Sequence, residues 1–220
     1  MLTDTKRGYM CIMIIGLVGA AFYIQDAGLP DSVSVPRVVE LGVSKKALRK
    51  IHQRAREHFG ERWPSTTTTD MVMEYVKPLT KDRHCRLTEL PGYLDKNEIG
   101  QPTYFISHAW KAPAELLFSR IDDFLGDADD STRVWVDCFA VNQHGDDEAG
   151  RKQNKEDVGA FEDVVVASEG GTMVVVDIRF NPATRGWCIY EWCVACRPIA
   201  TALNTKDDLS LMVLALIWHI

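Results

Sequence analysis

Tyr104-Phe-Ile-Ser-His-Ala-Trp110 is the stretch on which the fold turns. Its first four residues form a short apolar run with β-branched and aromatic side chains, which reads as a buried strand. The run ends abruptly in a histidine and a tryptophan. Working outward, residues 114–125 carry Leu117, Ile121 and Phe124 at helical spacing. Arg133-Val-Trp-Val-Asp137 reads as a second strand, residues 158–167 as a helix, and the apolar run 172–176 as a third strand. Residues 143–156 and 181–185 read as loops. A helix over 186–203 and an apolar segment at 209–218, a fourth strand or a short helix, complete the pattern. Strands without alternation, each followed by a helix, predict a parallel sheet covered on both faces.

The chain has 220 residues, 46% apolar and 25% charged, with a net charge of −6. That suits one globular domain with an N-terminal extension. It argues against a general nucleic-acid binder, since no basic stripe crosses the motif-bearing region. Six cysteines at irregular spacing do not make a disulfide framework and read as small buried apolar residues in a reducing compartment.

Residues 10–24 are an uninterrupted apolar run behind Lys6 and Arg7. A spanning helix needs about 20 apolar residues. The run therefore reads either as a membrane anchor or signal segment, or as a buried helix or strand. Residues 28–36 have linker composition. From Ser44, an N-cap residue, Leu48, Ile51, Ala55 and Phe59 form one helical stripe, with Lys45, Lys46, Arg49, Lys50, Arg54 and Arg56 elsewhere on the helix. That basic helix is either a solvated face or a membrane-surface element. Residues 71–76 begin a short helix expected to stop at Pro78, and 81–100 are polar and irregular. The division expected is an apolar segment at 1–30, a mostly helical extension at 31–100, and an α/β domain at 101–220.

In an open parallel sheet the ligand edge lies beyond the C-terminal ends of the strands. Ser107, His108 and Trp110 follow the first strand, Asp137 closes the second, and Trp187 and Glu191 open the helix after the third. Trp187 and Glu191 are spaced i, i+4 and share a helix face. An aromatic plane beside a carboxylate suits a flat ring joined to a sugar. Glu191 reads either as a site carboxylate or as a surface residue paired with a neighbour such as Arg185. His108 is a general acid-base group or a structural histidine. Asp137 binds hydroxyls or caps its loop. Cys193-Val-Ala-Cys196 lies inside a predicted helix and lacks further ligands, so it reads as packing, and no metal ligand set is expected. Neither a phosphate loop nor a Gly-x-Ser-x-Gly elbow is present.

These residues resemble the Toll/interleukin-1 receptor (TIR) domain superfamily, over about 102–202. Tyr104-Phe-Ile-Ser107 is similar to that family's first-strand box. Arg133-Val-Trp-Val-Asp137 is similar to its second strand, and Trp187-Cys-x-x-Glu191 to the Trp-Cys-x-x-Glu of its nucleotide-cleaving members. Ser107-His-Ala-Trp110 and the Ala-Val-Asn-Gln143 segment depart from usual TIR text. They are closer to a TIR-like branch and to heterokaryon-incompatibility domains. The resemblance implies a flavodoxin-like sheet, truncated at its C-terminal end. It implies cleavage of the nicotinamide–ribose bond of NAD+ as substrate, with no cofactor. Glu191 would be catalytic, Trp110 and Trp187 would stack on bases, and Ser107, His108 and Asp137 would complete the substrate site. It also implies self-association, and a cytoplasmic protein, anchored if residues 10–24 enter a membrane. The alternative on the same fold is a non-catalytic interaction scaffold.

Overall fold

The computed structural model describes Ile12–Ile15 and residues 36–146, 148–177 and 186–202. For Ile12–Ile15, residue 187 and residues 196–202 the description is of the backbone alone. Strands β1 (Ile12–Ile15), β2 (Gly42–Ser44), β3 (Ile99–Gly100), β4 (Tyr104–His108), β5 (Arg133–Trp135) and β6 (Thr172–Val175) form one sheet in the order β1-β6-β4-β5-β2-β3. β4 pairs in parallel with β5 on one side and β6 on the other. The outer pairings, β1 with β6, β2 with β5 and β3 with β2, are antiparallel. The sequence predicts a parallel sheet, and that holds for the central three strands. The flanks are antiparallel, and β2 and β3, of three and two residues, are too short to show a strand pattern in sequence.

The helices are α1 (Lys45–Phe59), α2 (Thr68–Met71), α3 (Lys77–Thr80), α4 (Ala114–Leu125), α5 (Asp137–Ala140), α6 (Glu148–Gly159), α7 (Phe161–Ala167) and α8 (Gly186–Ala202). Ser44 caps α1 by accepting from the Ala47 N–H at 3.0 Å, and Gly60 ends it at φ 55°. Its buried stripe, Ala47, Leu48, Ile51, Ala55 and Phe59, packs with α4 against one face of the sheet, where Ile106, Val134 and Met173 point. The opposite face, with Phe105, Trp135 and Val174, is covered by α7 and α8. Successive strand residues part to opposite faces because of the pleat, so β4 is buried throughout its last four residues. Phe105 stacks on Trp135 at 5.3 Å between centroids, and Phe161 meets Trp135 edge-on at 4.9 Å.

Several sequence expectations are corrected. Residues 36–100 do not stand apart as an extension: they supply β2, β3 and α1, and Val43 and Ile51 share a core with Ile106 and Phe118. The second strand stops at Trp135, and Asp137 starts α5 instead of closing the strand. Residues 148–159 are a helix, not a loop; their sequence has no apolar stripe, and Gly150 and Asp157 are the buried positions. The expected helix over 158–167 is broken at Ala160. Pro78 does not end the helix before it. A π turn at Val72–Val76 carries α2 into α3, with Pro78 near the start of α3 where its missing N–H is tolerated. Of the apolar run 10–24, Ile12–Ile15 form an edge strand. Its remainder, the loop at 181–185 and the apolar segment at 209–218 lie outside the described residues. Among the described residues, no helix is long and apolar enough to cross a membrane.

Candidate functional site

β4 and β6 are neighbours, yet the helices that follow them, α4 and α8, lie on opposite faces of the sheet. Adjacent parallel strands whose connections part in this way open a crevice at their C-terminal ends. Ser107 and His108 stand at that end of β4.

The pleat sends Ser107 toward α8. Its Oγ donates to Glu191 Oε2 at 2.5 Å and accepts from Trp192 Nε1 at 3.0 Å. Ser107 is 1% exposed and Glu191 4%. Glu191 is therefore not the surface carboxylate that the helical spacing also allowed. α8 buries Cys188, Glu191, Trp192 and Ala195 and exposes Gly186, Ile189 and Tyr190, so the carboxylate sits on the sheet-facing side. Removing a carboxylate from water costs several kcal/mol (roughly) unless it is hydrogen-bonded, and the Ser107 hydroxyl supplies one such bond.

The neighbouring residues turn the other way, toward β5. His108 is 6% exposed, and its Nδ1 lies 3.8 Å from Asp137 Oδ1. Trp110 Nε1 donates to Asp137 Oδ2 at 2.8 Å, and the Cys138 N–H donates to Asp137 Oδ1 at 2.6 Å. The Cys188 thiol reaches the His108 carbonyl at 3.6 Å. Burial, and then the adjacent Asp137 charge, push the Cys138 thiol well above its usual pKa. A cleft of 320 Å³ opens beside this group, with Trp110, Asp137, Val141, Gln143, Asn154 and Phe161 in its walls.

Of the residues expected in the site, the structure thus places Trp110 and Asp137 in the cleft wall, with His108 beside Asp137, and couples Ser107 to Glu191. Glu191 is not among the described residues that line the cleft. Trp187 belongs to α8, but its side chain lies outside the described residues. Cys193 lies within α8, as its sequence context predicts.

Sequence reasoning missed the support of the cleft. Asn142 donates from its backbone N–H to Asp157 Oδ2 at 2.9 Å and from its amide to the His84 carbonyl at 2.7 Å and to Gln153 Oε1. Its own oxygens accept from the His144 N–H and from Asn154 Nδ2, both at 2.8 Å. Asp157 in turn binds Arg86 through two hydrogen bonds. The one signal in the sequence was the Asn142-Gln143 pair; Arg86 and Asp157 gave none. Sequence reasoning also left the basic helix open to a membrane role. Lys45 holds the Gly126 and Ala128 carbonyls, Arg49 pairs with Asp122, Lys50 with Glu98, and Arg54 with the Tyr93 carbonyl and ring. Four of its six cations are thus engaged within the chain.

No family model, no curated protein and no solved structure matches the chain.

Proposed function

We propose that the chain is a TIR-like domain that cleaves the nicotinamide–ribose bond of NAD+, with Glu191, bonded to Ser107 just behind the cleft, as the carboxylate whose charge stabilises the developing ribosyl cation. The observation that carries this reading is the Ser107–Glu191 hydrogen bond of 2.5 Å at the ligand edge of the central strand. The central position of β4 between β5 and β6 agrees with the flavodoxin-like order that the resemblance implies. Breaking the glycosidic bond builds positive charge on the ribose, and a carboxylate fixed in a dry setting stabilises that charge more than one in water. Ser107, held by Trp192, fixes the carboxylate. Trp110 and Asp137 in the cleft offer a stacking plane and a hydroxyl acceptor, and His108 orients Asp137.

The test is nicotinamide release from NAD+ by concentrated full-length protein, beside Glu191→Gln. Release that falls at least a hundredfold in the variant supports the reading. Equal release by both proteins removes Glu191 from its role, and no release from the assembled wild type ends the enzyme reading.

One observation favours the second reading, an interaction scaffold. Val166 on α7 is 58% exposed, Ile189 and Tyr190 on α8 are 38% and 40% exposed, and Tyr190 bridges to Glu162 of α7 at 3.3 Å. Apolar groups clustered on a helix pair suit self-association. Sedimentation of wild type and Ile189→Lys, beside nicotinamide release, separates the two: a scaffold assembles through this patch and releases no nicotinamide, whereas the enzyme releases it from the assembled state.

A further inference from the structure

His108, Asp137 and Cys138 each offer one ligand atom, and these atoms lie within 4.8 Å of one another. His108 ends β4, and Asp137 and Cys138 open α5 just beyond the parallel neighbour β5, so the β4–β5 pairing brings the three together. We propose that they form a zinc site. The arrangement goes beyond the NAD+ reading and does not depend on it.

The donor set is the first argument. An imidazole, a carboxylate and a thiolate are the three ligand types zinc takes from proteins. Clusters of exposed acids are common without a metal, but this trio holds one acid only. Cys138 is fully buried and His108 nearly so. The geometry is the second argument. Ligand atoms on one tetrahedral zinc lie about 3.3 to 3.6 Å apart, from bond lengths of about 2.0 to 2.3 Å. His108 Nδ1 and Asp137 Oδ1 are 3.8 Å apart, so small side-chain adjustments bring them to that spacing.

The surroundings are the third. Metal ligands are oriented by groups behind them. Trp110 Nε1 holds Asp137 Oδ2, which leaves Oδ1 turned toward His108. Three protein ligands leave one position of a tetrahedron open, as in catalytic zinc sites. Asp137 also lines the 320 Å³ cleft, which gives a bound ion a route to water or to a small ligand. On binding, the Cys138 thiol releases its proton to solvent and coordinates as thiolate.

The test titrates chelator-stripped, full-length protein with Co2+ and then Zn2+. We expect one equivalent of Co2+, a thiolate-to-cobalt charge-transfer band, and displacement of both by Zn2+. Trp110→Phe keeps the ring but removes the N–H behind Asp137, and weakens binding about 10-fold to 100-fold. His108→Ala weakens it more, and Cys138→Ser abolishes the band. A wild-type titration without the band overturns the proposal and leaves a histidine–aspartate pair only. A band that survives Cys138→Ser, or an affinity unchanged by both Trp110→Phe and His108→Ala, overturns it as well, because the metal then sits elsewhere. Since the readout is metal binding, it stands whether or not nicotinamide is released.

Discussion

Arg86 and Asp157 face each other in a two-pronged ion pair, Nε to Oδ2 at 2.9 Å and Nη2 to Oδ1 at 2.5 Å, with side chains only 8% and 2% exposed. Asp157 Oδ2 also takes the Asn142 N–H, so one carboxylate ties the segment before β3, the loop after α5 and helix α6 together. Burial alone would lower the Arg86 pKa, but the hydrogen bonds it donates to Asp157 and Glu89 outweigh it and hold the guanidinium charged.

We predict that Asp157→Ala costs about 3 to 5 kcal/mol in urea denaturation, because it leaves the buried Arg86 with only the partly exposed Glu89 and the buried Asn142 N–H without its acceptor. The double variant Arg86→Met with Asp157→Leu should lose less than Asp157→Ala alone. A double variant as unstable as the single one would show that the pair itself, and not the orphaned charge, carries the stability.

Ser107→Ala is expected to cost about 1 to 3 kcal/mol, since Glu191 and the Trp192 N–H both lose a buried partner. Ser107→Thr keeps the hydroxyl and should fall between wild type and alanine. Thermal melts of the three proteins check the ranking. An alanine variant as stable as wild type would mean that water replaces the hydroxyl at no cost.

A third prediction concerns close approach of backbone. Gly170 donates its N–H to the Thr103 carbonyl at 2.7 Å, and a Cβ there would lie 2.8 Å from that oxygen and run into the Tyr104 ring. Gly170→Ala should cost about 1 to 3 kcal/mol by overpacking. Gly159, where an added Cβ meets nothing within 4 Å, is the control, and Gly159→Ala in α6 should be neutral or stabilising.

Acid sensitivity has a local source in the capping box of α2. Hydrogen bonds from the Thr67 hydroxyl at 2.7 Å and the Thr67 N–H at 2.9 Å hold the Asp70 carboxyl below its ordinary pKa. A depressed carboxylate contributes stability above its unfolded pKa, about 4, and loses it as pH falls through the folded value. The stability gap between wild type and Asp70→Asn should therefore be full at neutral pH and close below about pH 4. A gap that is constant across that range would remove the titration from the account.

The central strand, α1 and α4 were legible because their apolar spacing matches one period throughout. Ile106 and Phe105 announce burial on both faces, and Leu117 and Ile121 a helix stripe. β2 and β3 were not legible, since three and two residues are too few to alternate. Helix α6 was not legible because Glu-Ala-Gly-Arg-Lys-Gln-Asn-Lys-Glu-Asp-Val-Gly carries no stripe; it is pinned by Asp157. Ser107, His108, Trp110 and Asp137 were legible as strand-end residues. The depth of Glu191 was not, because a carboxylate on a helix looks the same in sequence whether it meets water or a serine. Arg86 and Asp157 lie 71 positions apart, and neither hints at the other.

Ser44 of β2 pairs with Arg133, which is synthesised roughly 90 residues later. At ribosomal speeds of about 5 to 20 residues per second, that is a delay of several seconds. For most of it, the apolar stripe of α1 has neither α4 nor the completed sheet to cover it. The core around α1 therefore closes only after β5, and then β6 with Met173 and Val175, has left the ribosome.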